Sequence, residues 1–254
     1  MNLEIYQAFY QQEQVPFLEP DFIPYDNTED DKVLLEYAMW KKVHKKKKGT
    51  DRYWGILSWR WREKTGLYGL FFKEWILANP GYDVYHFDPY ISLLHFKNLW
   101  MHGDKCHPGM AEYINKLLPK LGYNFNIEDL EYTSNNFGTC HYFIGNDTFW
   151  KSYLKFLDTV IEITKLDPEL NKYMFETEST YRERGQVNFP FVVERLFSLF
   201  CILNPKIKVK KYPYESFCFK DRLGSEYAQH LCQSYNLQKR DAEIQEHQKT
   251  LLTQ

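Results

Sequence analysis

The 254-residue chain has no window approaching about 18 consecutive apolar residues, so no segment reads as a membrane-spanning helix. Its start, MNLEIYQAFYQQEQ, lacks the basic opening and apolar centre of a secretion signal. Cysteine is sparse: Cys106, Cys140, Cys201, Cys218 and Cys232 stand far apart, with no CxxC pair. That spacing argues against zinc-ribbon and thioredoxin-type sites and suits reduced thiols in a cytoplasmic protein. The GxSxG elbow, the P-loop and GxGxxG are all missing, which argues against several other classes of α/β enzyme. An excess of one charge is missing too. With 32 Lys and Arg against 34 Asp and Glu, no global basic footprint points to nucleic acid. No tandem repeat is visible, and the one low-complexity run is a run of lysines.

What is present is apolar and aromatic. A 44% apolar share is ample for the core of one large α/β domain, and 18% aromatic is high. Residues 53–90, YWGILSWRWREKTGLYGLFFKEWILANPGYDVYHFDPY, organise the rest. Positions 53–59 are aromatic and β-branched, as in a buried strand. Positions 67–78 carry Leu67, Leu70, Phe71, Trp75 and Ala78 at helical spacing, and Asn79-Pro80-Gly81 stops that helix. A second strand is predicted over 82–87, ended by Asp88-Pro89. A strand–helix–strand unit of this length belongs to a parallel sheet, whose ligands sit beyond the carboxyl ends of the strands. The rim is therefore expected at 58–65 and 86–88.

The remaining elements follow in order. Residues 3–10 form an opening strand that would bring Tyr6, Gln7 and Tyr10 to the rim. Residues 15–27 hold three prolines and end in a turn, where Asp26-Asn27 either meets ligand, closes the turn or caps the next helix. Helices are expected over 31–43, 91–100, 110–121, 148–164 and 191–203, and strands over 136–144 and 206–214. Asp147 is placed to cap the helix that follows it. Residues 167–188 read as a loop excursion with a short helix. From about Gly224 the chain is polar and ends in a tail helix. The basic run Lys41, Lys42, Lys45, Lys46, Lys47 and Lys48 is either a solvated loop or a dock for an anionic membrane face or a phosphorylated carrier. The segment HGDKCHPG, with His102, Asp104, Cys106 and His107, offers a substrate loop, a structural turn or an unusual metal site.

Several stretches together resemble bacterial glycosyltransferases of capsule and O-antigen clusters, proteins related to the GT-A fold. They are IYQAFY with PYDN, YWGILSWRWREKTGL, NPGYDVYHFDPY with HPG, and YFIGNDTFWKSYLKFLD with VERLFSLF, spanning roughly residues 3–204. The resemblance implies a GT-A-like, Rossmann-like α/β fold: a mixed, mostly parallel sheet flanked by helices, with a helical C-terminal part. It implies one domain over 1–223 and a tail over 224–254. It also implies a nucleotide-sugar donor, a glycan or lipid-linked acceptor and a cytoplasmic location, at the inner membrane face if the lysine run docks there.

One departure bears on the chemistry. The acidic DxD signature, which holds a divalent metal against the donor diphosphate in that family, is replaced by His86-Phe87-Asp88. His86 and Asp88 are the candidate ligands for Mn2+ or Mg2+, and Arg60, Arg62 and Lys64 the candidate cations if no metal serves. Donor binding is assigned to Tyr6, Gln7, Asp26, Ser58, Arg60, Lys64 and His86, and the acceptor or substrate loop to His102, Asp104, His107 and Asn146. Catalysis is assigned to Asp88 and Glu194, the latter as base because a carboxylate on an apolar helix needs a reason to be there, the alternative being a buried ion pair of Glu194 with an Arg or Lys; Asp104 and Asp147 are further candidate bases. Tyr6, Trp59, Trp61 and Trp100 either stack on ligand or pack the core. The competing reading is a non-catalytic nucleotide- or sugar-binding partner in polysaccharide assembly.

Overall fold

The computed structural model describes all residues except 30, 32, 50, 180–184, 214–236 and 254, and the side chains of 91, 92, 237 and 238. Cys218, Cys232 and the start of the expected tail therefore lie outside the described residues. The chain forms two compact units. The first comprises Met1–Pro89, Cys140–Leu154 and 204–213; the second comprises Tyr90–Thr139, Lys155–Leu203 and 237–253.

The first unit is built on six strands: β1 Asn2–Phe9, β2 Ile23–Asp26, β3 Arg52–Ser58, β4 Val84–His86, β5 Phe143–Gly145 and β6 Val209–Lys211, in the spatial order β2-β1-β3-β5-β4-β6. The ladders β1–β2, β1–β3 and β4–β6 are parallel, whereas β5 is antiparallel to both β3 and β4. The sheet is thus mixed and not mostly parallel as expected. β5 also separates β3 from β4, so the two strands of the 53–90 unit are not neighbours. Their contact is relayed by a strand from far along the chain, which local periodicity does not encode.

Helices cover both faces: α1 Leu35–Lys47, the short α2 Trp61–Thr65, α3 Gly69–Ala78 and the first turns of α6 Asp147–Leu166. Side chains alternate along β3 as a strand requires. Trp54 faces one way and stacks on Trp150 of α6, ring centroids 4.0 Å apart, near Trp40 of α1. Tyr53 faces the other way, against Tyr85, which meets Trp75 of α3. The aromatic excess is spent here, on two aromatic layers gripping one sheet.

Several expected elements shift. The helix expected over 67–78 is preceded by α2, the two being separated at Gly66, whose φ of 69° suits glycine. β2 was not anticipated, because Pro24 sits inside it; as an edge strand it tolerates the missing amide donor. The lysine run is not a loop: it forms the last turns of α1, where cations oppose the helix dipole. The strand expected over 136–144 is reduced to β5, after a 3-10 turn at Ser134–Asn136.

The second unit is helical, with α4 Leu99–Cys106, α5 Met110–Lys120, the rest of α6, α7 Pro168–Asn171, α8 Phe189–Leu203 and α9 Leu237–Leu252. Asn98 caps α4 by accepting from the amides of Trp100 and Met101. The expected helix over 91–100 is therefore a 3-10 turn, Ile91–His95, followed by a new start. α9 is tied to its own unit through Asp241, which accepts from Ser134, and Gln248, which donates to the Glu131 carbonyl. Among the described residues no helix is long and apolar enough to cross a membrane.

Candidate functional site

The carboxyl ends of β1, β2, β3, β4 and β6, with the amino end of β5, make one rim of the first unit. Backbone bonds knit it together: the Asn27 amide donates to the Phe9 carbonyl, Trp59 to Ala8, Phe87 to Tyr142 and Tyr212 to His86. Polar side chains collect there, in three groups.

The first lies at the ends of β4 and β6. His86 is 1% exposed and pairs in register with Lys211, while Asp88 is 2% exposed. The Lys211 ammonium stands 3.9 Å from the Asp88 carboxylate. Asp88 is therefore not the exposed loop carboxylate that its place after a strand and before a proline suggests; it is a buried charge with a buried counter-charge.

The second group sits on α2, where Trp61 wedges between Phe87 and Tyr142. Lys64, one turn on, lies 3.6 Å from the Cys140 sulfur and above the Tyr142 ring. The other two expected cations are engaged within the fold. Arg62 pairs with buried Glu19 and covers the Tyr68 ring, and Arg60 grips Glu63 with its guanidinium fork on the surface. The Ser58 hydroxyl accepts from the Arg60 amide and shapes the turn between them.

The third group is one that sequence reasoning missed. Glu36, in the first turn of α1, accepts from the Tyr10 hydroxyl at 3.2 Å and faces His141 Nδ1 at 3.8 Å. Burial alone would raise the Glu36 carboxyl, but His141 and Tyr10 hold it below the usual carboxylate range. His141 Nε2 and Asn27 Oδ1 are both buried with no hydrogen-bond partner among the described residues. Glu36, His141 and Lys211 lack any motif in the sequence. The only signal for Glu36 is its place near a helix start that follows the rim.

The other predicted residues fall elsewhere. Gln7 is fully buried and bolts β1 to the next loops, donating to the Ser58 and Trp59 carbonyls and accepting from the Glu19 amide. Tyr6 turns away from the rim and donates to Glu4, which also holds Lys47 and Arg52. Asp26 closes a turn on Thr28. Asn146 and Asp147 lie at the opposite edge of the sheet, because β5 runs against its neighbours. Asn146 bonds Asp83 at the start of β4 and caps α6 through the Phe149 amide, while Asp147 accepts from the Gly49 amide. The cap is thus Asn146, one residue before the expected one. Trp61 is core, whereas Trp59 is half-buried and tilts against exposed Phe17.

His102, Asp104, His107, Trp100 and Glu194 belong to the second unit. The HGDKCHPG segment is the end of α4 and not a loop as far as Cys106. Asp104 accepts from the amides of Gly109 and Ala111, fastening the start of α5. His107 is buried, bonds Ser179 and stacks on Phe191. Burial, then the charges of Arg195 and His102, push its pKa down to about 4. Trp100 is core and donates to Tyr132. On α8 the expectation is reversed: Arg195 is the buried charge, bonded to the carbonyls of Leu99 and Phe191, while the Glu194 side chain is 27% exposed. The two are also partners, at 3.3 Å, because long neighbouring side chains can lean together despite a 100° offset.

The residues at the expected metal position fit a divalent cation poorly. Among the described residues no three His, Cys, Asp or Glu side chains gather as a ligand set, and the one carboxylate beside His86 already faces an ammonium.

No protein-family model matches the chain, and no curated protein sequence matches it. A solved structure does: the WbbM bifunctional glycosyltransferase in its apo form, with a TM-score of 0.50 and 14% identity. The match covers 83% of this chain and 44% of that one, so the chain spans less than half of its neighbour's length. The fold is therefore glycosyltransferase-like, a mixed six-stranded sheet flanked by helices.

Proposed function

We propose that this protein is a glycosyltransferase that moves a sugar from a nucleotide-sugar donor to a growing surface polysaccharide or lipid-linked glycan. The observation that carries the proposal is the polar rim of the first unit, where Asp88 and Lys211 lie at strand ends and Lys64 on α2, in a fold of glycosyltransferase type. The nucleoside diphosphate sits on that rim, with Trp59 and Phe17 available to stack on a flat ring. Transfer leaves negative charge on the diphosphate, and cations fixed in a partly buried site offset it with little reorganisation. Glu36, kept ionised by its neighbours, is suited to accept hydrogen bonds from sugar or ribose hydroxyls more than to take a proton. Lysines at the end of α1 give the protein an anionic membrane face to dock on, on the cytoplasmic side.

A second reading, a non-catalytic nucleotide- or sugar-binding partner, is favoured by one observation: the family's paired carboxylates are replaced by His86-Phe87-Asp88, with Asp88 facing Lys211. Incubation with uridine, guanosine, cytidine and thymidine diphosphate sugars separates the two. Release of free nucleoside diphosphate supports the transferase. Binding without release supports the binder, and no binding at all overturns both.

A further inference from the structure

The rim belongs to the first unit, and the second unit holds a cleft of its own. Its volume is about 340 Å³, within the range of small-molecule sites, and its walls come from α5, α7 and the turn that follows α7. We infer that this cleft binds one neutral pyranose unit of a glycan chain. The inference goes beyond the transferase reading and does not depend on it, since no residue of the rim takes part.

The floor rests on backbone conformations that ordinary packing does not require. Lys172–Glu176 form a π-helix, closed by the Thr177 amide, which donates to the Lys172 carbonyl five residues back. Such turns are rare and frequently occur at functional sites. This one brings Tyr173 against α5, where its ring stacks on that of Tyr113, centroids 5.3 Å apart. Gly109, just before α5, has a φ of 90°, and a Cβ there would stand 3.1 Å from the Tyr173 ring. The glycine thus lets the ring close on the start of α5. The Tyr173 hydroxyl donates to the His107 carbonyl, so the cleft receives a fixed apolar ring.

The upper walls supply the opposite chemistry. Lys116 lies between Glu112, at 2.7 Å, and Glu169, at 2.6 Å, which ties α5 to α7. Both carboxylates are exposed and keep lone pairs for further donors, and Lys172 adds an exposed ammonium. Two carboxylates balance two ammonium groups, so the lining carries no net charge. A phosphorylated ligand calls for a surplus of cations, which this lining does not have. A pyranose matches it on both counts. Its hydroxyls exchange hydrogen bonds with charged donors and acceptors around the edge, while its C–H face packs on the tyrosine ring.

The test is binding of the whole protein to an array of neutral hexose oligosaccharides with α and β linkages, alongside oligosaccharides that bear uronic acids or phosphate. Calorimetric titration follows for the strongest. At least one neutral oligosaccharide is expected to bind with a Kd below about 1 mM. Glu169→Ala with Lys172→Ala removes two exposed side chains, whose ion pairing contributes little to stability, so the variant is expected to melt as wild type does. It should weaken that binding roughly 10- to 100-fold, the worth of a lost hydrogen bond to a charged group. Tyr173→Leu should weaken it as well; if that variant folds badly, the exposed pair still decides. Unchanged affinity in a well-folded Glu169→Ala, Lys172→Ala variant overturns the inference, as does binding of charged oligosaccharides only. Failure of every array member to bind also overturns it and leaves the transferase reading standing, because that reading is judged by release of nucleoside diphosphate.

Discussion

Glu36 and His141 face each other at 3.8 Å across the rim of the sheet, one from the first turn of α1 and the other from the segment entering β5. Tyr10, just past β1, closes the group by donating to the same carboxylate. Three separate elements thus aim one side chain each at one spot. The direction of β5 makes this possible, since a parallel β5 would carry His141 to the far edge.

Glu36→Gln keeps the side chain's shape and its acceptor for Tyr10 but removes the charge opposite His141. The fold is expected to survive at a cost of about 0.5–1.5 kcal/mol, the net worth of an ordinary hydrogen bond. Steady-state kinetics are expected to show a KM raised roughly tenfold with kcat little changed, the signature of lost ground-state binding. An unaltered KM would remove Glu36 from the substrate site.

Glu194→Gln is expected to melt within about 1 kcal/mol of wild type, because the carboxylate is partly solvated and Arg195 keeps its two carbonyl partners. If the base assignment made from the sequence holds, its loss lowers transfer roughly 10²- to 10⁴-fold while donor binding persists. Arg195→Met provides the contrast: it strips a buried network and should cost about 2–4 kcal/mol. A stable Glu194→Gln variant that transfers at the normal rate ends the catalytic assignment.

Gly55 sits where β3 and β5 approach most closely, and an added Cβ would overlap the Phe143 carbonyl, which is backbone and cannot swing aside. Gly55→Ala is expected to destabilise by more than about 3 kcal/mol in urea titration. A loss below about 1 kcal/mol would contradict this account of the approach of β3 to β5.

His107 gives stability a pH dependence of definite sign. Its pKa falls from 6.5 in the unfolded chain to about 4 when folded, so between those values the unfolded state binds more protons. Stability therefore declines as pH drops from 6.5 towards 4. The difference between wild type and His107→Gln should shrink over the same window, by on the order of 3 kcal/mol at most. A pH-independent difference would show that His107 is not the group responsible.

The lysines at the end of α1 are expected to govern membrane recruitment without touching the chemistry. Lys45, Lys46 and Lys48 are exposed, whereas Lys47 is paired with Glu4 and should be left in place. Changing the three to Ser is expected to leave donor hydrolysis unchanged and to weaken association with phosphatidylserine vesicles by about 1 kcal/mol per lysine at low salt. Vesicle binding that does not change would reduce the run to a helix end stabilised by its dipole.

The sequence by itself determined the local pieces: β3 from its aromatic and β-branched run, α3 from its spacing and its Asn79-Pro80-Gly81 stop, and α6 and α8 from their apolar stripes. These follow from burial of one face of one element, which neighbours in sequence can encode. Only the tertiary structure decided that β5 lies between β3 and β4 and runs against both. That choice is set by contacts between distant residues, Trp54 on Trp150 and Gly55 beneath Phe143. It moved Asn146 to the far edge and brought His141 to the rim. Tertiary contacts likewise make Arg195, not Glu194, the charge buried on α8: spacing shows which positions are apolar, but which long polar side chain turns inwards depends on carbonyls such as that of Leu99, which another helix presents.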